Sequence, residues 1–102
     1  MIHVIATIRL QPGTRARFLE EFHGIVPDVH AEAGCIEYGP AVDLATDISA
    51  QPEVDENAVM VIEKWESLEH LKQHLQAPHM LTYRERVKDL VIETRVQILE
   101  PA

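Results

Sequence analysis

The stretch Val59–Arg86, VMVIEKWESLEHLKQHLQAPHMLTYRER, decides how the rest of the chain is read. Its apolar run Val59-Met60-Val61-Ile62 continues into Glu63-Lys64-Trp65, and strand alternation puts Val59, Val61, Glu63 and Trp65 on one face. Ser67 then stands where an N-cap is needed, ahead of Leu68, Leu71 and Leu75 at helical spacing. Pro78 can open a second short helix, because a first helical position has no use for the N–H that proline lacks, and Met80, Val87 and Leu90 supply a buried face. The stretch reads strand, helix, tight break, helix. It also brings Trp65, His74, His79 and Tyr83 close enough in the chain to line one pocket.

Working outward, His3–Leu10 is rich in β-branched residues and reads as a strand with neither face fully wet, ended by Pro12-Gly13. From Thr14 the period changes. Phe18, Leu19, Phe22, Ile25, Val26 and Val29 recur at helical spacing, with Arg15, Arg17, Glu20, Glu21 and Asp28 opposite them. Pro27 lies inside this pattern and predicts a kink near His23 rather than a second helix. Gly34 is the stop. Cys35-Ile36-Glu37-Tyr38 begins a second strand, which Gly39-Pro40 is expected to bend or bulge before Ala41-Val42-Asp43-Leu44. Asp47–Asn57 is acidic, contains Pro52 and reads as a long loop, and Val91–Leu99 is a last β-branched run. The order β, α, β, β, α, short α, β is the ferredoxin-like split βαβ plan, an α+β fold with a four-stranded antiparallel sheet and helices on one face.

The composition bounds what such a domain does. A chain of 102 residues, 46% hydrophobic, reads as a single domain over 1–102 with a small core. A formal charge of −8 with nine Lys and Arg argues against nucleic acid and against an anionic membrane surface. No apolar run is long enough to span a bilayer, and Met1-Ile2-His3-Val4 lacks the basic region of a secretion signal. One cysteine, Cys35, cannot form an internal disulfide. A cytoplasmic protein is expected. Both alternations of the first and third strands are apolar, so something must cover the face away from the helices. A second copy packing sheet against sheet, a twofold dimer with a barrel-like interior, is the economical cover.

The pattern Glu32-Ala-Gly34-Cys35-Ile36-Glu-Tyr38, followed by Glu63-x-Trp65-Glu-Ser67-x3-Leu71-x2-His74-x3-Pro78-His79, resembles the antibiotic biosynthesis monooxygenase family, and within it the small quinol monooxygenases. The resemblance spans nearly the whole chain in element order. It implies a dimeric α/β barrel that oxidises a hydroquinone or phenolic aromatic with molecular oxygen and uses no cofactor, neither metal nor flavin. Relatives include an isomerase and haem-degrading enzymes. The haem branch uses an axial histidine, a tryptophan and an asparagine where this chain has, at or near the matching places, Arg84, His74 and Thr7, so that activity is not expected.

Such chemistry needs a base, because a phenolate gives up an electron far more readily than a phenol, and it needs a dry pocket for a flat ring. Histidine suits proton removal near neutrality. His74 and His79 match the family positions and are the candidate bases. Trp65 and Tyr38 are expected to shape the ring pocket, Tyr83 to donate to a substrate oxygen, and Thr7 on the first strand completes the substrate-binding set.

Each candidate has an ordinary alternative. His74 borders the apolar stripe and can simply bond a carbonyl, His79 can cap a helix, Trp65 can pack a core or a dimer interface, and the tyrosines can be satisfied by backbone. Glu66, His70 and His74 share one helical face at a spacing zinc accepts, but no further ligand joins them and no metal is expected. Cys35 reads as a small buried hydrophobe. A non-catalytic small-molecule-binding dimer, or an isomerase using the same pocket, is the alternative function.

Overall fold

The computed structural model describes residues 1–102. β1 (Ile2–Leu10) and β3 (Ala58–Trp65) pair antiparallel at the centre of a sheet ordered β2–β3–β1–β4, with β2 (Cys35–Ala41) and β4 (Val91–Leu99) at its edges. The fold is the ferredoxin-like α+β plan. α1 (Arg15–His30), α2 (Leu68–Leu75) and α3 (Pro78–Val87) complete it.

Alternation works as the sequence requires. Val4, Ala6, Ile8 and Leu10 of β1 and Val59, Val61, Glu63 and Trp65 of β3 are buried, while Ile5, Thr7, Met60 and Ile62 on the other face are only partly covered. On the helix face the core is closed by Phe18, Phe22, Ile25 and Val29 of α1 and by Met80, Tyr83, Val87 and Leu90 from α3 and its end. Phe22 lies parallel to Tyr38 of β2 with ring centroids 5.4 Å apart, which ties α1 to the sheet edge. His30 Nε2 meets the Tyr38 carbonyl at 2.8 Å and fixes the end of α1 to the same strand.

Helix ends follow local chemistry. Ser67 Oγ accepts from the His70 N–H as the N-cap of α2, and Pro78 occupies the first turn of α3. Pro27 is carried within the last turn of the single helix α1, where the Ala31 N–H still reaches the Pro27 carbonyl. On the exposed side of the helix, where His23 and Pro27 lie, the lost bond is the one to the His23 carbonyl, which water can replace.

Three local expectations are corrected. β2 runs unbroken through Gly39-Pro40 as far as Ala41, and the irregularity lies between Cys35 and Glu37 instead. An edge strand tolerates proline because one side of its backbone needs no partner. Val42–Leu44 is not strand, so the connection to β3 is longer than the Asp47–Asn57 loop read from composition. Finally, Leu68 and Leu75 of α2 are half-exposed, and the buried pair of that helix is Leu71 and His74. An eight-residue helix presents barely one side-chain row to the body, and the histidine occupies a place in it.

Candidate active site

The turn between α1 and β2 sets the site. Gly34 has φ +80°, and a Cβ there would lie 2.3 Å from His70 Cγ, so only glycine permits both the turn and the approach of α2. The Glu66 N–H donates to the Gly34 carbonyl at 2.9 Å and the Cys35 N–H to the Glu32 carbonyl at 3.3 Å. These bonds bring Glu32 against α2 and α3.

There Glu32 Oε2 lies 2.8 Å from His74 Nδ1 and 2.8 Å from His79 Nε2. Opposite a carboxylate, which can only accept, each of those ring nitrogens is assigned a hydrogen. The neutral tautomer of His74 therefore leaves Nε2 as its basic atom. Nε2 has no hydrogen-bond partner in the chain, yet no fully buried polar side-chain atom is unpartnered. The atom is thus accessible, and the space His74 lines is a cavity of about 600 Å³ between the sheet and α2–α3.

That cavity is mostly apolar, walled by residues such as Val4, Ala6, Val61, Met80 and Val96, and is of a size that takes an aromatic small molecule. Tyr38 and Tyr83 line it and make no side-chain hydrogen bond of their own. Burial pushes both phenols well above their ordinary range, so they remain protonated and each keeps a hydrogen to donate. Glu63 also lines it. Burial drives its carboxyl up to about 7, against the Trp65 hydrogen bond that favours the charged form. For His74, burial lowers the pKa below 6.5 and outweighs the opposing pull of Glu32, so the imidazole is neutral at pH 7.

The candidates chosen from sequence part company here. His74, Tyr38 and Tyr83 meet at the cavity. His79 joins through Glu32, but its ring faces a separate polar cleft of about 530 Å³ between α1 and α3 that is lined in part by Glu20, Glu21, Asp28 and Arg86. Trp65 is fully buried and does not line the cavity, which corrects its placement as a ring-stacking residue. Its indole instead packs on His74 with centroids 4.6 Å apart and donates from Nε1 to Glu63 Oε1 at 2.9 Å. Thr7 points to the opposite face of the sheet, paired with Met60 and Arg95, and is not part of this cavity. His70 and His74, four apart on α2, serve different partners, Ser67 Oγ for the first and Glu32 for the second. Burial, with Glu32 and Glu63 nearby, pushes the Cys35 thiol up, in keeping with an inert side chain.

This fold and cavity can be set beside known proteins. The family model described as antibiotic biosynthesis monooxygenase matches residues 1–86. The chain belongs to the antibiotic biosynthesis monooxygenase family. It is 48% identical over 103 aligned positions, covering 99% of this chain and 98% of the relative, to a protein of Escherichia coli (strain K12) described as "Probable quinol monooxygenase YgiN". Among solved structures it resembles PA3566 from Pseudomonas aeruginosa, with a TM-score of 0.82, 25% identity and coverage of 99% and 93% of the two chains. A structure described as antibiotic biosynthesis monooxygenase superposes with a TM-score of 0.82 at 19% identity, covering 100% and 99%, and shows the same fold.

Two groups of this family member escaped the reading by sequence. Glu32 was visible only as the first residue of a family-like segment, and Glu63 only as a carboxylate on an otherwise apolar alternation. The second was the stronger signal, because a buried carboxyl inside a sheet needs a reason.

Proposed function

We propose that this protein is a cofactor-independent monooxygenase that oxidises a hydroquinone or related phenolic aromatic with molecular oxygen, with His74 as the general base. The observation that carries this reading is the open Nε2 of a neutral His74, held by Glu32, in a largely apolar cavity. The family membership and the description of the Escherichia coli relative point to the same chemistry.

The substrate ring lies in the cavity with one hydroxyl at His74 Nε2, which removes its proton. Tyr38 and Tyr83 donate hydrogen bonds toward the oxyanion. The electron-rich phenolate passes an electron to oxygen, and the resulting radical pair joins to form a carbon–oxygen bond. The peroxide takes back the proton held by His74. Its O–O bond then breaks as the ring carbon that bears it loses its hydrogen as a proton, that C–H pair forming the new carbonyl. The departing hydroxide takes the released proton and leaves as water. For a hydroquinone the balance is one O2 consumed, a hydroxyquinone and one water formed. The substrate supplies all four electrons, so no separate reductant is required.

Oxygen uptake by chelator-treated protein, over a panel of hydroquinones and polycyclic phenols and against the autoxidation blank, tests this. Uptake well above the blank is expected, falling on the acid side of 6.5, where the base becomes protonated and cannot accept. Folded protein that raises uptake for none of the panel would move the assignment to a binding protein or an isomerase.

We further propose that two copies associate through the sheet in the cytoplasm. Ile5 is paired with Ile62 and Thr7 with Met60 on the face without helices, and Leu99 of β4, paired with His3 on that same face, is half-exposed. Sedimentation equilibrium should return twice the chain mass at micromolar concentration, and Ile62→Lys should return the single mass. A wild-type monomer throughout that range overturns the proposal.

A further inference from the structure

We infer that Glu63 is the specificity residue of this cavity: it takes the second hydroxyl of a diphenol while His74 takes the first. The inference rests on the proposed reading of the cavity as a phenol site and names the substrate class within it.

Glu63 is buried near the C-terminal end of β3, opposite Val4 on one side and Tyr38 on the other. One of its oxygens, Oε1, accepts from Trp65 Nε1. The other has no partner in the chain. Because no fully buried polar side-chain atom goes unpartnered, Oε2 is accessible, and the space that Glu63 lines is the cavity. A carboxyl kept only to satisfy the indole N–H would need one acceptor, and placing a second oxygen at an apolar wall costs free energy. That oxygen is a recognition group.

Its neighbours fit the role. Trp65 touches Glu63 with its N–H and His74 with its ring face, so one rigid indole fixes both groups relative to each other. Tyr38 packs edge-on to His74 at 5.3 Å from the adjoining strand. The other titratable or charged groups bearing on Glu63 are Glu32 and Cys35 at the α1–β2 turn and Tyr83, Arg84 and Lys88 from α3 and its end. Arg84 is already engaged with the Leu75 carbonyl, and Lys88 with Glu85. No cation neutralises Glu63, and its carboxyl titrates near neutrality, where it can accept a phenolic hydrogen bond or share the proton.

The proton count agrees with two acceptors. Converting a hydroquinone and oxygen to a hydroxyquinone and water takes both hydroxyl hydrogens from the ring oxygens, moves the hydrogen of the oxygenated ring carbon to the new hydroxyl, and places two hydrogens on the departing water. With one hydroxyl on His74 and the other on Glu63, each proton has a holder until the O–O bond breaks. A monophenol leaves Glu63 facing an apolar ring, unpaired and desolvated, which is how a site discriminates strongly against a missing hydroxyl.

Anaerobic calorimetric titration tests this without turnover, using 1,4-dihydroxynaphthalene and 1-naphthol as the matched pair. The wild-type protein should bind the diphenol about 10- to 100-fold more tightly, the range for a hydrogen bond to a charged group. Glu63→Gln keeps an acceptor for Trp65 and should bring the ratio to within about threefold, with its melting curve confirming the fold. Equal affinities in the wild type, or a preference undiminished in Glu63→Gln, overturns the inference. Neither naphthol binding to the wild type instead removes the phenol-site reading itself.

Discussion

His74→Gln is expected to lower kcat/KM for a responsive hydroquinone by about 10² to 10⁴, the usual contribution of a positioned general base. Glutamine fills much of the same volume against Trp65 and can still bond Glu32, so the body of the site survives. What it lacks is an atom that accepts a proton near neutrality. The part of the acid limb that His74 contributes below 6.5 should vanish with the residue. That second readout matters because His74 is almost wholly buried, and a loss of rate alone could come from repacking. Stopped-flow or electrode measurement of oxygen uptake from pH 5 to 8 checks both. Activity within a few-fold of wild type, on a folded variant, removes His74 from the chemistry.

Glu32→Gln is expected to cost about 10-fold in kcat/KM, the order of the difference between a charge-assisted and a neutral hydrogen bond. Its amide oxygen can still accept from His74 Nδ1 and His79 Nε2, but the negative charge facing the imidazolium formed during proton transfer is gone. The sign of the pH effect is definite. Glu32 raises the pKa of His74 against the larger lowering by burial, so removing its charge lowers that pKa further. The acid limb of the rate profile therefore moves to lower pH. A fall in rate with an unmoved limb would mean that Glu32 only holds the turn at Gly34 in shape.

Much of this was legible in the chain itself, and it was legible for a local reason. Period-two alternation in Val59–Trp65, period 3.6 from Phe18 to Val29, the serine cap at Ser67 and the proline start at Pro78 each depend on residues within a turn or two of one another. Those signals fix element type, order and inward face before any long-range contact forms. They placed the buried faces of α1 and α3 correctly and sorted the residues of β1 and β3 by face without showing which face the helices cover. They misjudged α2, where Leu68 and Leu75 lie half-exposed and His74 is buried, because periodicity ranks a helix face by hydrophobicity and cannot see how little of a short helix touches the sheet.

The histidine candidates were also named from sequence, through the family resemblance, but their surroundings were not separable there. Glu32 reaches His74 across 42 residues and His79 across 47, and only the turn at Gly34 brings α1's end beneath α2 and α3. That contact makes Nε2 of His74 the free nitrogen and turns His79 toward the polar cleft. The same packing buries Trp65 behind His74 and sends Thr7 to the far face. The sequence by itself thus determined the strands, the helices and the residue types able to do the chemistry, since these follow from neighbouring side chains. Tertiary structure decided which nitrogen is basic, which aromatic touches the cavity and why Glu63 is near neutral pH in its titration, because hydrogen-bond partnership and desolvation exist only once distant segments meet.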